Sequence, residues 1–438
     1  MRRAVLALAL IAAASAARAA DDGVHVGVAT CAGDNCHGRA DVPSEAQLGT
    51  AQYPIKQNEY LVWAHKDKHA RAYAVLKEPR GERIAHNLGL ANAETAAECL
   101  SCHTDSVPPA RRGPRYRLAD GVGCEACHGG AVTWLGTHIA GLSHQDNLAA
   151  GLYPTERPEA RAERCLSCHI GGGERAITHR IMGAGHPPMP FELDTFTAIQ
   201  PAHFTVTARY AARKGRPNDV QIWAVGQAVD LQKRMALLTD PANAPKGATP
   251  ELVLFDCQAC HHAMNQLQWQ ARGSGGPGPG TLRLYDATAV MLEAVAARVA
   301  PDLAKDLAGH LAALHRAAAA AVPDYWAGVQ RAGAVLGEDA GRLAAALAAH
   351  DFTAEDAKAL ARAVISSGDL GYSAAQQETM ALESIVAAMK AFGWADASQV
   401  KALNDALGGL YEATADDQTY RPENFAAALR QVEAKLPH

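Results

Sequence analysis

The chain has no cysteine to spare. All ten lie in five pairs, and each pair is followed immediately by a histidine. A zinc site needs four ligands and has no use for a histidine directly after the second cysteine five times over. A disulfide framework would leave the same five histidines without a reason. No βαβ pattern accompanies the pairs, which argues against a thioredoxin-like redox motif. Apart from the extreme N-terminus, no apolar run is long enough to span a bilayer. Aromatic residues make up only 5% of the chain. No nucleophile constellation or general acid/base pair stands out apart from the cysteine motifs.

What is present is one motif repeated. Cys99/Cys102/His103, Cys124/Cys127/His128, Cys165/Cys168/His169 and Cys257/Cys260/His261 have the form Cys-x-x-Cys-His. That is the signature of covalent c-type haem attachment. The thiols form thioethers with the haem vinyl groups, and the adjacent imidazole becomes an axial iron ligand. Cys31/Cys36/His37 has four residues between its cysteines. Its longer loop must still present both sulfurs to one haem edge, and a disulfide between Cys31 and Cys36 is the competing reading. Five haems c are expected.

Arg2 and Arg3 precede an apolar run from Ala4 to Ala17, and Ala17-Arg18-Ala19 closes it. This is the pattern of a cleavable signal peptide over residues 1–19 and predicts a periplasmic protein. Cleavage removes three arginines and no acid, taking the formal charge from −5 to −8. That balance argues against nucleic acid and favours periplasmic or membrane-associated redox partners with a basic docking face. Arg111, Arg112, Arg115 and Arg117 form a local basic loop, read as solvated, as a propionate clamp or as a partner-binding patch.

The expected fold is mainly α, in two parts. Residues 20–270 form a multihaem cytochrome c domain of short helices, long loops and almost no sheet, with porphyrin supplying much of the apolar core. A Gly/Pro-rich linker covers 271–281. Residues 282–438 read as an antiparallel bundle of about five to seven helices. Leu303, Leu307, Leu311 and Leu314 recur at helical spacing, as do Leu336, Leu343 and Leu347. Pro301, a Ser373/Gln376 capping box and Pro422 are the predicted helix starts. This bundle either docks or oligomerises the chain or covers the haem domain. His310, His315 and His350 within it carry no assignment.

Several segments resemble the cytochrome c-554 family. Val62-Trp-Ala-His-Lys-Asp-Lys-His69-Ala-Arg-Ala-Tyr73, Gly121-Val-Gly-Cys124-Glu-Ala-Cys127-His128-Gly129, Trp134-Leu-Gly-Thr-His138 and Glu163-Arg-Cys165-Leu-Ser-Cys168-His169 carry the likeness. Thr178-His179-Arg-Ile-Met-Gly-Ala-Gly-His186-Pro and Cys257-Gln-Ala-Cys260-His261-His262 look like segments of larger multihaem relatives. The resemblance implies that His69, His138, His179 and His186 complete the coordination of the irons, with His203 the fifth candidate. His25, His65, His86, His144 and His262 compete with them, and Met182 and Met189 are less favoured. If every iron has two protein ligands, the expected function is electron transfer. If one axial position is open, the chain is an oxidoreductase of a small nitrogen or sulfur compound.

Overall fold

A computed structural model describes residues 23–44, 47–48, 55–173, 175–245, 249–262, 283–320 and 324–437. The expected signal peptide and the 271–281 linker lie outside the described residues. The chain is mainly helical, and the sole ladder among the described residues pairs Gly171–Gly172 with Arg175–Ala176. From residue 287 onward there are seven described helices: Ala287–Val299, Pro301–Ala318, Tyr325–Ala349, Ala354–Ile365, Tyr372–Phe392, Ala397–Ala413 and Pro422–Glu433. Pro301 and Pro422 occupy first-turn positions, where a missing N–H costs nothing. Leu307, Leu311, Leu314, Leu336, Leu343 and Leu347 all point into the core.

The expected capping box at Ser373 is corrected. The helix begins a residue earlier, at Tyr372 after Gly371. Ser373 therefore lies within the first turn, and its hydroxyl donates to Asp256 instead.

One apolar core runs from Ala162 to Leu436 and so continues across both sides of the 271–281 segment. Its centre is Asp219–Thr239, a helix buried on nearly every face. That helix packs against Tyr325–Ala349, Ala287–Val299 and Tyr372–Phe392, and also against Pro158–His169, which ends on the fourth motif. Gly226 lets a further helix, Leu193–Ile199, come close, because a Cβ there would lie 2.6 Å from Leu193 Cβ. Nearer the N-terminus the described apolar clusters are small: Leu76 with Ala85 and Ala93, and Leu88 with Ile181 and Ala184. A region with so little aliphatic core has room for large apolar groups among its loops.

Candidate haem centres

The motifs fold as their spacing requires. Ala97–His103, Cys124–His128 and Pro158–His169 are helices that end on the motif histidine. Residues i, i+3 and i+4 share a helix face, so both sulfurs and the imidazole project the same way. The fifth motif opens on a 3₁₀ turn, Cys257–Ala259. In the first, the two additional residues close into a loop, with Cys36 N donating to Gly33 O at 2.8 Å and His37 N to Cys31 O at 3.1 Å. The longer spacing thereby returns His37 to the cysteine that begins its motif.

Each motif histidine faces one further histidine. Ring centres are 5.9 Å apart for His37 and His138, 6.4 Å for His69 and His169, and 6.4 Å for His103 and His186. They are 6.3 Å apart for His128 and His203, and 6.1 Å for His179 and His261. An imidazole nitrogen bound about 2.0 Å from a first-row metal, and about 1.1 Å from its own ring centre, puts two trans rings about 6.2 Å apart. All five pairs fit a shared metal between two imidazoles. The partners brought together are the five named above, including His203, and no pair calls for a methionine.

Four of these rings are fixed through Nδ1. His37 Nδ1 lies 2.8 Å from Glu59 Oε2 and His69 Nδ1 lies 2.9 Å from Asp67 Oδ1. His103 Nδ1 donates to Ala72 O at 2.7 Å, and His186 Nδ1 to Pro187 O at 2.9 Å. A proton on Nδ1 leaves the Nε2 lone pair for a metal, and such outer partners fix ring angle and ligand basicity. Burial, reinforced by the facing His203, pulls His128 down to about 3; burial with His69 pulls His169 to about 4. Burial also lowers His138, His186 and His203. Neutral imidazole is the form that binds metal. Burial alone would raise Asp67, but hydrogen bonds from His69 and Gln200 outweigh it and hold the carboxyl at about 2.

Other histidines have carboxylate partners: His25 on Asp105, His144 on Glu156, His310 on Asp339, His315 on Asp286 and His350 on Asp356. His25, Asp105 and Glu125 bring ligand atoms within 4.8 Å of one another. Glu125, however, accepts from Val26 N at 2.8 Å, Gly27 N at 2.7 Å and Ala131 N at 2.7 Å, so this group is a structural knot. It ties the N-terminal segment to the third motif. Glu125→Ala orphans three amides and is expected to cost about 3 kcal/mol or more. Chemical denaturation checks this; Glu125→Gln, which keeps one oxygen, is expected to cost less. In the basic loop, Arg112 donates to Val107 O at 2.9 Å and Arg115 to Ala29 O at 3.5 Å, so these two guanidiniums brace local backbone.

Glu59, Asp67, Glu125 and Phe191 were not legible as site residues. Phe191 stacks on His169 with ring centres 4.5 Å apart. The Asp-x-His spacing of Asp67 and His69 is the one local signal available, because an aspartate side chain readily bonds backbone two residues on.

Haem-attachment motifs on short helices and turns, each histidine facing a second imidazole, define a c-type cytochrome, an electron-transfer protein carrying covalently bound haem. Residues 52–129 match the family described as cytochrome c554 and c-prime, which supports placing the chain in the cytochrome c-554 family. The matched stretch contains His69 and the second and third motifs. No curated protein and no solved structure matches the chain.

Proposed function

We propose that this is an exported, periplasmic pentahaem cytochrome that relays electrons between redox partners, with all five irons held by two histidines. The observation that carries this reading is the set of five imidazole pairs, 5.9–6.4 Å between ring centres. Haem supplies the one-electron ferric/ferrous couple. The chain's own residues anchor the porphyrin, occupy both axial positions and exclude exogenous ligands. Two imidazoles on every iron leave no axial position for a nitrogen or sulfur substrate, which favours the carrier reading over the enzyme.

The cysteines suggest the order of the relay. Cys31 lies beside Cys124, and Cys102 beside Cys168. Cys127 is buried beside Cys165. The first motif thus adjoins the third, the third the fourth, and the fourth the second, so the expected path departs from chain order. No described helix is long and apolar enough to cross a membrane, and the partners proposed are periplasmic or membrane-associated proteins with a basic docking face.

Electron paramagnetic resonance of the oxidised protein tests the ligation. Only low-spin ferric signals are expected. A substantial high-spin signal that responds to nitrite would overturn the reading in favour of an open-site oxidoreductase. Intact mass tests the count: five haems are expected, and four with a Cys31–Cys36 disulfide would refute it.

A further inference from the structure

The fifth centre is assembled by the helical region. Cys257 follows Asp256, whose side chain caps the Cys257–Ala259 turn by accepting from Gln258 N at 3.1 Å. The backbone just before it is clipped to the segment leading into Ala287–Val299. Asp256 N donates to Arg283 O at 2.8 Å, Tyr285 N donates to Leu254 O at 3.0 Å, and Phe255 bridges Leu284. Ser373 Oγ donates to Asp256 Oδ1 at 3.2 Å, and Gln258 Nε2 donates to Asp417 O at 2.8 Å. The opposing imidazole hangs from the same stretch, because His179 N donates to Glu251 Oε1 at 2.7 Å. One ring of the His179/His261 pair thus belongs to residues 251–261, and the backbone that carries the other is tied to them through Glu251.

A single guanidinium secures that stretch. Arg283 reaches Asp256 at 3.7 Å, Asp286 at 2.9 Å and Asp369 at 3.0 Å, and all three carboxylates are buried. Asp369, in the turn before Tyr372–Phe392, is 0% exposed. Three buried acids converging on one planar donor fork require both its charge and its shape. Building on the pentahaem reading, we propose that Arg283 is the positioning residue of the fifth haem centre, binding the Cys257 turn to the helical region so that His261 and His179 face each other. The helical region then serves as the scaffold of one redox centre.

Arg283→Gln leaves Asp256, Asp286 and Asp369 without that cation and drives Asp256 out of its cap. About one fifth of the total haem is expected to turn high-spin in the oxidised protein, and the same variant, once reduced, is expected to bind one carbon monoxide per molecule. Arg283→Lys, which restores the charge but not the planar fork, is expected to return only part of that signal to low-spin. A merely structural role would lower the melting temperature and leave five low-spin haems below it; that result overturns the proposal. Asp256→Asn keeps the cap acceptor and removes a negative charge beside Cys257. It is expected to raise one of five reduction potentials and leave four unmoved. Should Arg283→Gln fail to accumulate, this variant decides, and five unmoved potentials overturn the proposal. Peptide mass mapping of the same samples keeps the two readings apart. A wild-type Cys257/Cys260 peptide without haem refutes the pentahaem reading, whereas full occupancy with unmoved signals refutes only the role of Arg283.

Discussion

On the pentahaem reading, replacing His203 with alanine is expected to convert one haem in five from low-spin to high-spin, about a fifth of the total ferric signal. His203 follows the Leu193–Ile199 helix and faces His128 across 6.3 Å. Its ring packs edge-on against Phe204, which in turn stacks on Tyr210. Gln200, three residues earlier, is anchored to Asp67 at 2.9 Å. Because His203 sits on an anchored and stacked segment, the truncated side chain leaves a vacancy that backbone movement does not refill. The other four motif histidines already face their own partners. The ferrous variant is therefore expected to bind one carbon monoxide per molecule where the parent binds none. Optical titration reads this directly, and a variant that stays fully low-spin would contradict the pairing. The potential of that centre is expected to rise as well, because a strong imidazole donor has been lost.

Trp223→Ala is expected to produce the largest loss of stability, roughly 3–5 kcal/mol for a fully buried tryptophan. Trp223 is 0% exposed in the second turn of Asp219–Thr239. That helix supports Pro158–His169, so the cavity also undermines the platform of the fourth motif. Helical circular dichroism and the Soret band are expected to melt in one transition, at a lower temperature than in the parent. Two separate transitions would show that the haem region and the helical region do not share the core that runs from Ala162 to Leu436.

The legibility of this chain follows the range of the interactions involved. The Cys-x-x-Cys-His sets are readable because their geometry closes within one helical turn. The leucines of Pro301–Ala318 and Tyr325–Ala349 are readable because each helix turns one apolar stripe inward. Asp219–Thr239 escaped notice for the opposite reason. It is enclosed by neighbours on most sides, so its apolar residues form no stripe and its 3.6-residue period is weak. Arg283 escaped because its three carboxylates come from three separate stretches of chain.

The sequence by itself determined the motif set: ten cysteines in five sets, each with an imidazole beside the second sulfur. In the Cys-x-x-Cys-His sets local spacing suffices, since residues three and four apart on a helical turn share a face. Only the tertiary structure decided which imidazole lies opposite which: His138 across from His37, His69 from His169, His186 from His103, His203 from His128 and His179 from His261. Those partners lie tens of residues apart and meet only where separate loops cross. The core around Trp223, which backs the helix of the fourth motif, and the ion cluster of Arg283 beside the Cys257 turn leave no periodic trace in the chain either.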